Sequence, residues 1–276
     1  MKDLEKVFLD RAKKKKRKIA IAILRPIKET VDSLISASEF AELTVVGVDI
    51  PGFNCFSIKN TEDASQKLLS LLKDGSIEGI VRGQVKDTYT LDLFYKYFNK
   101  TPIPSNKKVC PAVMKKDKYS FVVGTCSVYQ GHTLNDKIYE AEKLVHYIDK
   151  ELKLKPKIGV MGILRPTSKH GKYQILDEIT KNSRDLAKYL LNKGYDVKEY
   201  YMEYETAVWE GCNLILPSIG YVGNSWLKAL LYLGDWKLLS CPYLDLDVVY
   251  EDGSRNETDY FNHIIHAVAM LNKDNK

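Results

Sequence analysis

The hydrophobic positions of this chain fall in short continuous runs, set between longer stretches with helical spacing. Residues 19–24 are apolar throughout, as a parallel strand buried on both faces must be. Residues 29–41 carry helical spacing and 43–48 form a second strand-like run. Residues 61–73 predict a helix, with Thr61 as N-cap in Thr-Glu-Asp-Ala. A strand over 77–81 and a helix over 88–98 follow. Residues 101–108, with two prolines among polar side chains, interrupt the rhythm and mark a domain crossing. Beyond them the pattern predicts a strand over 119–125 and a helix over 134–152, capped at Thr133 or Asn135. A strand over 158–164, a helix over 175–192 and strands over 197–201 and 214–216 come next. Helices over 224–233 and 258–271 complete the series. Such alternation argues for an α/β fold with parallel sheets and helices on both faces.

Composition narrows the class. With 276 residues, 45% hydrophobic and 28% charged, the chain is globular rather than disordered, and long enough for one large domain or two small ones. No apolar run approaches the ~20 residues of a membrane span, which excludes transmembrane and secretory readings. Cys55, Cys110, Cys126, Cys212 and Cys241 are scattered and odd in number. That pattern fits structural thiols in a reducing, cytoplasmic compartment. The five histidines form no His-Glu-x-x-His motif, so no metal is expected from local spacing.

The net charge is +6, but its distribution matters more than its sum. The basic run at 13–18 sits where cations complement a helix end, and a strand follows at once. Without aromatic-interleaved basic patches elsewhere, a nucleic-acid partner is not expected. Only seven of the 42 basic residues are Arg, the planar fork suited to carboxylate and phosphate. Lys18–Pro26 and Lys157–Pro166 echo each other, each a buried run ending in Leu-Arg-Pro. This puts Arg25 and Arg165 at the carboxyl ends of two strands, the edge where ligands bind in open α/β sheets. Arg82 beside Gly83 follows a third strand, and Arg255 lies in the turn 251–256. Four such arginines favour a convergent site for phosphate or another small anionic metabolite. The turn 217–224, with Gly220, Gly223 and Asn224 entering a helix, adds backbone N–H groups that suit an anion. It is neither a dinucleotide fingerprint nor a Walker loop.

Cys212-Asn-Leu-Ile-Leu-Pro217, then Gly223-Asn224 with Lys228, Leu233-Gly234, Pro242 and Ser254-Arg255 resemble the C-terminal pattern of phosphate acetyl/butyryltransferases. The segment 156–172, with its turn through Ser168, also fits that family. More closely, the short length, Ile-Leu-Arg-Pro and Ile-Val-Arg-Gly look like the methanogen MtxX family, the methyltransferase subunit X or methanogenesis marker group. The resemblance implies two Rossmann-like α/β domains with parallel sheets and an interdomain cleft, phosphotransacetylase-like and related to the isocitrate/isopropylmalate dehydrogenase architecture. The first domain would be 1–108 plus 240–276, and 109–239 an inserted second domain. Ser254 and Arg255 fall on the family's cleft motif, with Asp259 as the nearest carboxylate to deprotonate the thiol of coenzyme A. Asp259 stands closer to Ser254 than the family pattern has it, and Trp226 replaces a small residue. Arg25, Arg82, Gly83, Arg165, Ser168, Gly223, Asn224 and Lys228 would bind the ligand, phosphate or coenzyme A.

Three functions remain open from the sequence. One is an acyl/phosphate transferase; another is an accessory subunit with a corrinoid or methyltransferase partner protein; the third is a non-catalytic metabolite-binding protein. No Gly-rich S-adenosylmethionine loop and no Asp-x-His-x-x-Gly corrinoid motif is present. Related transferases are often homodimers, and Tyr200, Tyr201, Met202 and Trp236 are interface or core candidates.

Overall fold

The computed structural model describes residues 2–168, 170–253 and 257–273. In chain order its elements are α1 (Leu4–Ala12), β1 (Arg17–Ile23), α2 (Lys28–Ala37), β2 (Ala41–Gly47), β3 (Asn54–Ser57), α3 (Thr61–Lys73), β4 (Gly79–Val81) and α4 (Asp87–Tyr97). Then come β5 (Ala112–Lys116), β6 (Tyr119–Val123), α5 (Leu134–His146), β7 (Lys157–Met161), α6 (Gln174–Asn192), β8 (Asp196–Tyr201) and α7 (Tyr204–Trp209). The last are β9 (Leu214–Leu216), α8 (Gly220–Leu233), β10 (Lys237–Ser240), β11 (Val249–Glu251) and α9 (Phe261–Leu271).

The chain divides into two compact units, Glu5–Ile103 with Ser240–Lys276, and Met1–Leu4 with Pro104–Leu239. The first of these is built on sheet A, with order β11-β4-β1-β2-β3 and every pair parallel. β1 is buried from Ile19 through Ile23, which is why its sequence is apolar without alternation. Ala20, Ala22, Leu68, Leu69, Phe94 and Tyr250 meet in the core on one face. Each large member contributes roughly 1.5–3 kcal/mol by leaving water.

The other unit is built on sheet B, with order β10-β5-β6-β9-β7-β8. β6, β9, β7 and β8 run parallel, whereas β5 is antiparallel to β6, so this sheet is mixed. The alternation of strands and helices did not show that hairpin. Asp117 takes φ 51°, which lets a two-residue turn join β5 and β6.

Several element ends differ from the sequence expectation for local reasons. Asn60, not Thr61, caps α3: its Oδ1 accepts the Asp63 N–H at 2.7 Å. Thr133 caps α5, and the helix leaves regular geometry after His146, with one widened turn closed by Leu152 N–H on the Tyr147 carbonyl at 2.8 Å. The basic run is not the last turn of a helix. α1 ends at Ala12, and Arg17 opens β1 with Nη1 on Glu78 at 2.8 Å, Nε on Asn272 at 2.7 Å and Nη2 on the Leu271 carbonyl at 2.8 Å. No described helix is long and apolar enough to cross a membrane.

Candidate functional site

At the carboxyl edge of sheet A, β4 delivers Arg82 and Gly83. The Arg82 N–H donates to the Glu251 carbonyl at 2.9 Å, extending the β4–β11 pairing. Its guanidinium is buried, with Nε on the Asp252 carboxylate, Nη1 on the Val85 carbonyl at 2.6 Å and Nη2 on the Gly253 carbonyl at 2.9 Å. Burial disfavours the charged form, but Asp252 outweighs it and holds the guanidinium above its usual range. The fork expected to hold phosphate thus grips the residues just past β11. Gly83 takes φ +63°, and a Cβ there would overlap the Ala22 carbonyl oxygen. The close approach this glycine permits is therefore to β1, whose Ala22 carbonyl also accepts the Gln84 N–H at 2.8 Å.

Gln84 fixes the first Leu-Arg-Pro turn. Its Oε1 accepts from Leu24 N at 2.8 Å and Arg25 N at 2.7 Å, and its Nε2 donates to the Arg25 carbonyl at 3.1 Å. The Arg25 side chain is exposed and has no hydrogen bond or ion pair among the described residues. Arg25 is thus open to an anion at this edge.

The end of β11 carries a buried polar cluster that the sequence reading missed. Glu251 is fully buried. One oxygen faces His266 Nδ1; the other accepts from Ser240 Oγ at 2.9 Å and Cys241 N at 3.2 Å. Burial pushes such a carboxyl up, but His266 and His263 outweigh it and hold it near 2. The signal was present in the sequence: an acid ending Val249-Tyr250, and histidines three apart in the apolar run of α9. Asp259 is exposed, and its Oδ1 accepts the Phe261 N–H at 2.9 Å at the start of α9, where a carboxylate favours the helix dipole. Ser254 and Arg255 lie outside the described residues.

At the carboxyl edge of sheet B, Thr125 leaves β6 with φ 54°, a left-handed conformation that costs a β-branched residue about 1–3 kcal/mol. Glu140 on α5 holds it there, accepting from the Thr125 N–H and from Oγ1 at 2.6 Å. One turn earlier on α5, the Lys137 ammonium donates to the Ser218 carbonyl beyond β9. Burial lowers Lys137 to about 8, against the opposing pull of Glu140. These two charged residues thereby brace the loops after β6 and β9.

The glycines of the 217–224 turn answer to the first of those loops. A Cβ on Gly220 would overlap the Ser127 carbonyl, and one on Gly223 the Thr125 carbonyl. Gly220 N–H donates to the Gln130 carbonyl at 3.1 Å, and Asn224 Nδ2 to the Cys126 carbonyl at 2.8 Å. α8 begins four residues before Asn224 because this close packing outweighs the low helix propensity of glycine. Trp226 lies 5.8 Å from Phe121 in a stacked pair and 4.5 Å from Tyr204, and Trp236 also packs on Phe121 at 5.1 Å. The Trp226 indole is part of an aromatic cluster. Lys228, on the next turn of α8, is exposed with no partner among the described residues.

In the second Leu-Arg-Pro turn, Ser168 Oγ accepts the Arg165 N–H at 3.1 Å and Ser168 N donates to the Arg165 carbonyl at 2.9 Å. The exposed Arg165 guanidinium pairs with Glu203, Nε to Oε1 at 2.7 Å. An exposed pair of this kind is worth about 0–1 kcal/mol and yields readily to another anion. The sequence-derived residues thus gather in two groups. Arg25, Arg82 and Gly83 meet at the edge of sheet A; Gly223 and Asn224 meet the 125–128 loop at the edge of sheet B. Among the described residues, no group of three or more His, Cys, Asp or Glu could hold a metal ion.

No family model matches the chain. It is 26% identical, over 96% of its length and 95% of the relative's, to "Putative methyltransferase mtx subunit X" of Methanosarcina mazei. Its fold is similar to that of a branched-chain phosphotransacylase from Enterococcus faecalis V583. The TM-score is 0.72 at 14% identity, covering 94% of this chain and all of that one. A phosphotransacetylase from Streptococcus pyogenes gives a TM-score of 0.64 at 15% identity, covering 98% of this chain and 99% of the other. The fold is therefore that of the phosphotransacetylases, and the resemblance to methyltransferase subunit X extends over nearly the whole chain.

Proposed function

We propose that the protein is a phosphotransacetylase-like transferase of the MtxX type in methanogen metabolism, taking a phosphate- or coenzyme A-type anion. The observation that carries this reading is the end-to-end likeness to a phosphotransacylase, at a TM-score of 0.72. The chemistry at the two sheet edges supports it: Arg25 and Lys228 are cations without a protein partner among the described residues, and Arg165 is held only by an exposed carboxylate. Arg255 and Arg25 would neutralise the phosphate of an acyl phosphate. Asp259 would take the proton of the coenzyme A thiol. The sulfur would attack the acyl carbonyl, and Ser254 would donate a hydrogen bond to the oxyanion. The carbon–oxygen bond to phosphate would then break, releasing inorganic phosphate. The test is acetyl phosphate formation from acetyl-CoA and phosphate, the reverse reaction, under anaerobic conditions with protected thiols. Turnover is expected, reduced about 100-fold or more in Asp259→Asn. A correctly folded protein without turnover overturns the transferase reading.

The name of the Methanosarcina mazei relative favours a second reading, an accessory subunit of a methyl-transfer system. Retention of a purified corrinoid protein on the immobilised chain would support it. No retention, together with acyl transfer, would reject it.

A further inference from the structure

His263, on the first turn of α9, is fully buried, and neither ring nitrogen has a hydrogen bond. Each nevertheless faces a carboxylate. Nδ1 lies 3.7 Å from Glu251 Oε2, at the end of β11, and Nε2 lies 3.6 Å from Glu257 Oε2, in the segment leading into α9. A neutral imidazole would leave an acceptor nitrogen facing a carboxylate across a dry gap, which is repulsive. An imidazolium turns an N–H toward both.

The surroundings offer few competing charges. On β11, Glu251 also meets His266, one turn further along α9, while Asp252 is held by Arg82. On α2, which packs against α9, Glu29 accepts from the Thr258 hydroxyl at 2.7 Å. β1 and β2 present buried aliphatic residues, Ile19 to Ile23 and Val45 to Val46. The Tyr260 hydroxyl donates to the Glu257 carbonyl at 3.0 Å and steadies that side of the cluster.

We infer that His263 is held as an imidazolium between Glu251 and Glu257, and that this charge ties the end of β11 to the segment leading into α9. It is a positioning residue, since it is buried and acts through its neighbours. Burial alone would lower its pKa; the two carboxylates instead raise it to about 9. When the proton leaves to solvent, Glu251 and Glu257 lose their shared counter-charge, and Asp252 and Gly253 lose a support next to the Arg82 clamp. The inference rests on this unit alone and not on the acyl-transfer reading, so either can fail without the other.

The experiment follows the ring nitrogens of the full chain, labelled in histidine, together with the backbone amides of Asp252, Gly253 and Thr258, by NMR from pH 6 to 10. His263 is assigned by its absence in His263→Gln. The expected result is a doubly protonated His263 ring at pH 7.5 that titrates near pH 9, with the three amides moving at the same midpoint. Glu257→Gln, conservative and at a partly exposed position, is expected to lower that midpoint by about one unit or more. A neutral ring at pH 7.5 overturns the inference. So does a titration that leaves the amides unmoved, or a midpoint unchanged in Glu257→Gln.

Discussion

The guanidinium of Arg82 is clamped onto Asp252 and onto the carbonyl of Gly253, the residue next to it. A buried ion pair with backbone acceptors is strongly destabilising to break from one side. Arg82→Ala is expected to cost about 3–5 kcal/mol in urea unfolding, and Arg82→Lys to recover little, because an ammonium cannot span three acceptors. Phosphate affinity in these variants should follow the folded fraction. Arg25→Ala, by contrast, should lower phosphate affinity without moving the unfolding midpoint.

Gly83 and Gly75 share a positive φ, +63° and +76°, but only Gly83 lies against another strand. Gly75→Ala carries only the left-handed cost, about 1–2 kcal/mol. Gly83→Ala adds an overlap with the Ala22 carbonyl that β1 cannot relieve without moving. A loss of about 3 kcal/mol or more is expected, read as the difference between the two variants in urea.

Glu140 holds a strained Thr125 and sits beside a buried lysine. Glu140→Ala should cost about 3–5 kcal/mol, since it leaves a buried cation without its carboxylate and a backbone N–H without an acceptor. Thr125→Gly loses the hydroxyl contact but relieves the left-handed backbone. Its net effect should stay within about 1 kcal/mol. Urea midpoints of the two variants check both values.

Stability should change with pH through named groups, each with its own sign. Glu251 is held below its usual value, so its contribution is present above about 4.5 and is lost as pH falls toward 2. His263 is raised, so its contribution is complete below 6.5 and is lost as pH rises through 9. Lys137 is lowered to about 8 from 10.5, so the unfolded chain holds the extra proton and stability rises across that interval. Thermal unfolding of Lys137→Met should lack the rise, and His263→Gln should lack the fall. The opposite pairing of variant and slope would refute both assignments.

Strands buried on both faces and helices with one apolar face were legible because each kind of burial writes its own period into the sequence. The strand at 214–216 and the helix at 61–73 coincide with β9 and α3. β3, β10 and β11 go unpredicted because each has four residues or fewer and includes polar positions, and β5 because two lysines close its three apolar residues. The glycines near 83 and 220 announced close approaches, but sequence alone cannot say to what; the partners are the carbonyls of Ala22 and Ser127, far away along the chain. In the sequence the arginines form one class. The structure separates the clamped Arg82, the surface-paired Arg165 and the unpartnered Arg25 by how many carbonyl and carboxylate acceptors surround each. Lys137, Glu140, Glu251 and His263 escaped notice because their importance comes from the dry neighbours assembled around them.

The discontinuity of the sheet A unit shapes how a ribosome can deliver it. β4 pairs with β11, yet the 104–239 segment that carries sheet B is translated between them. At about 5–20 residues per second, the nascent chain waits on the order of ten seconds with the flank of β4 unpaired. An apolar strand edge left open for that long invites association with other chains. The sheet B unit, all of it translated by residue 240, can therefore complete its core during synthesis, while the other closes only after the last helix emerges, so overproduction at high translation load should aggregate the protein through the open side of Gly79–Val81.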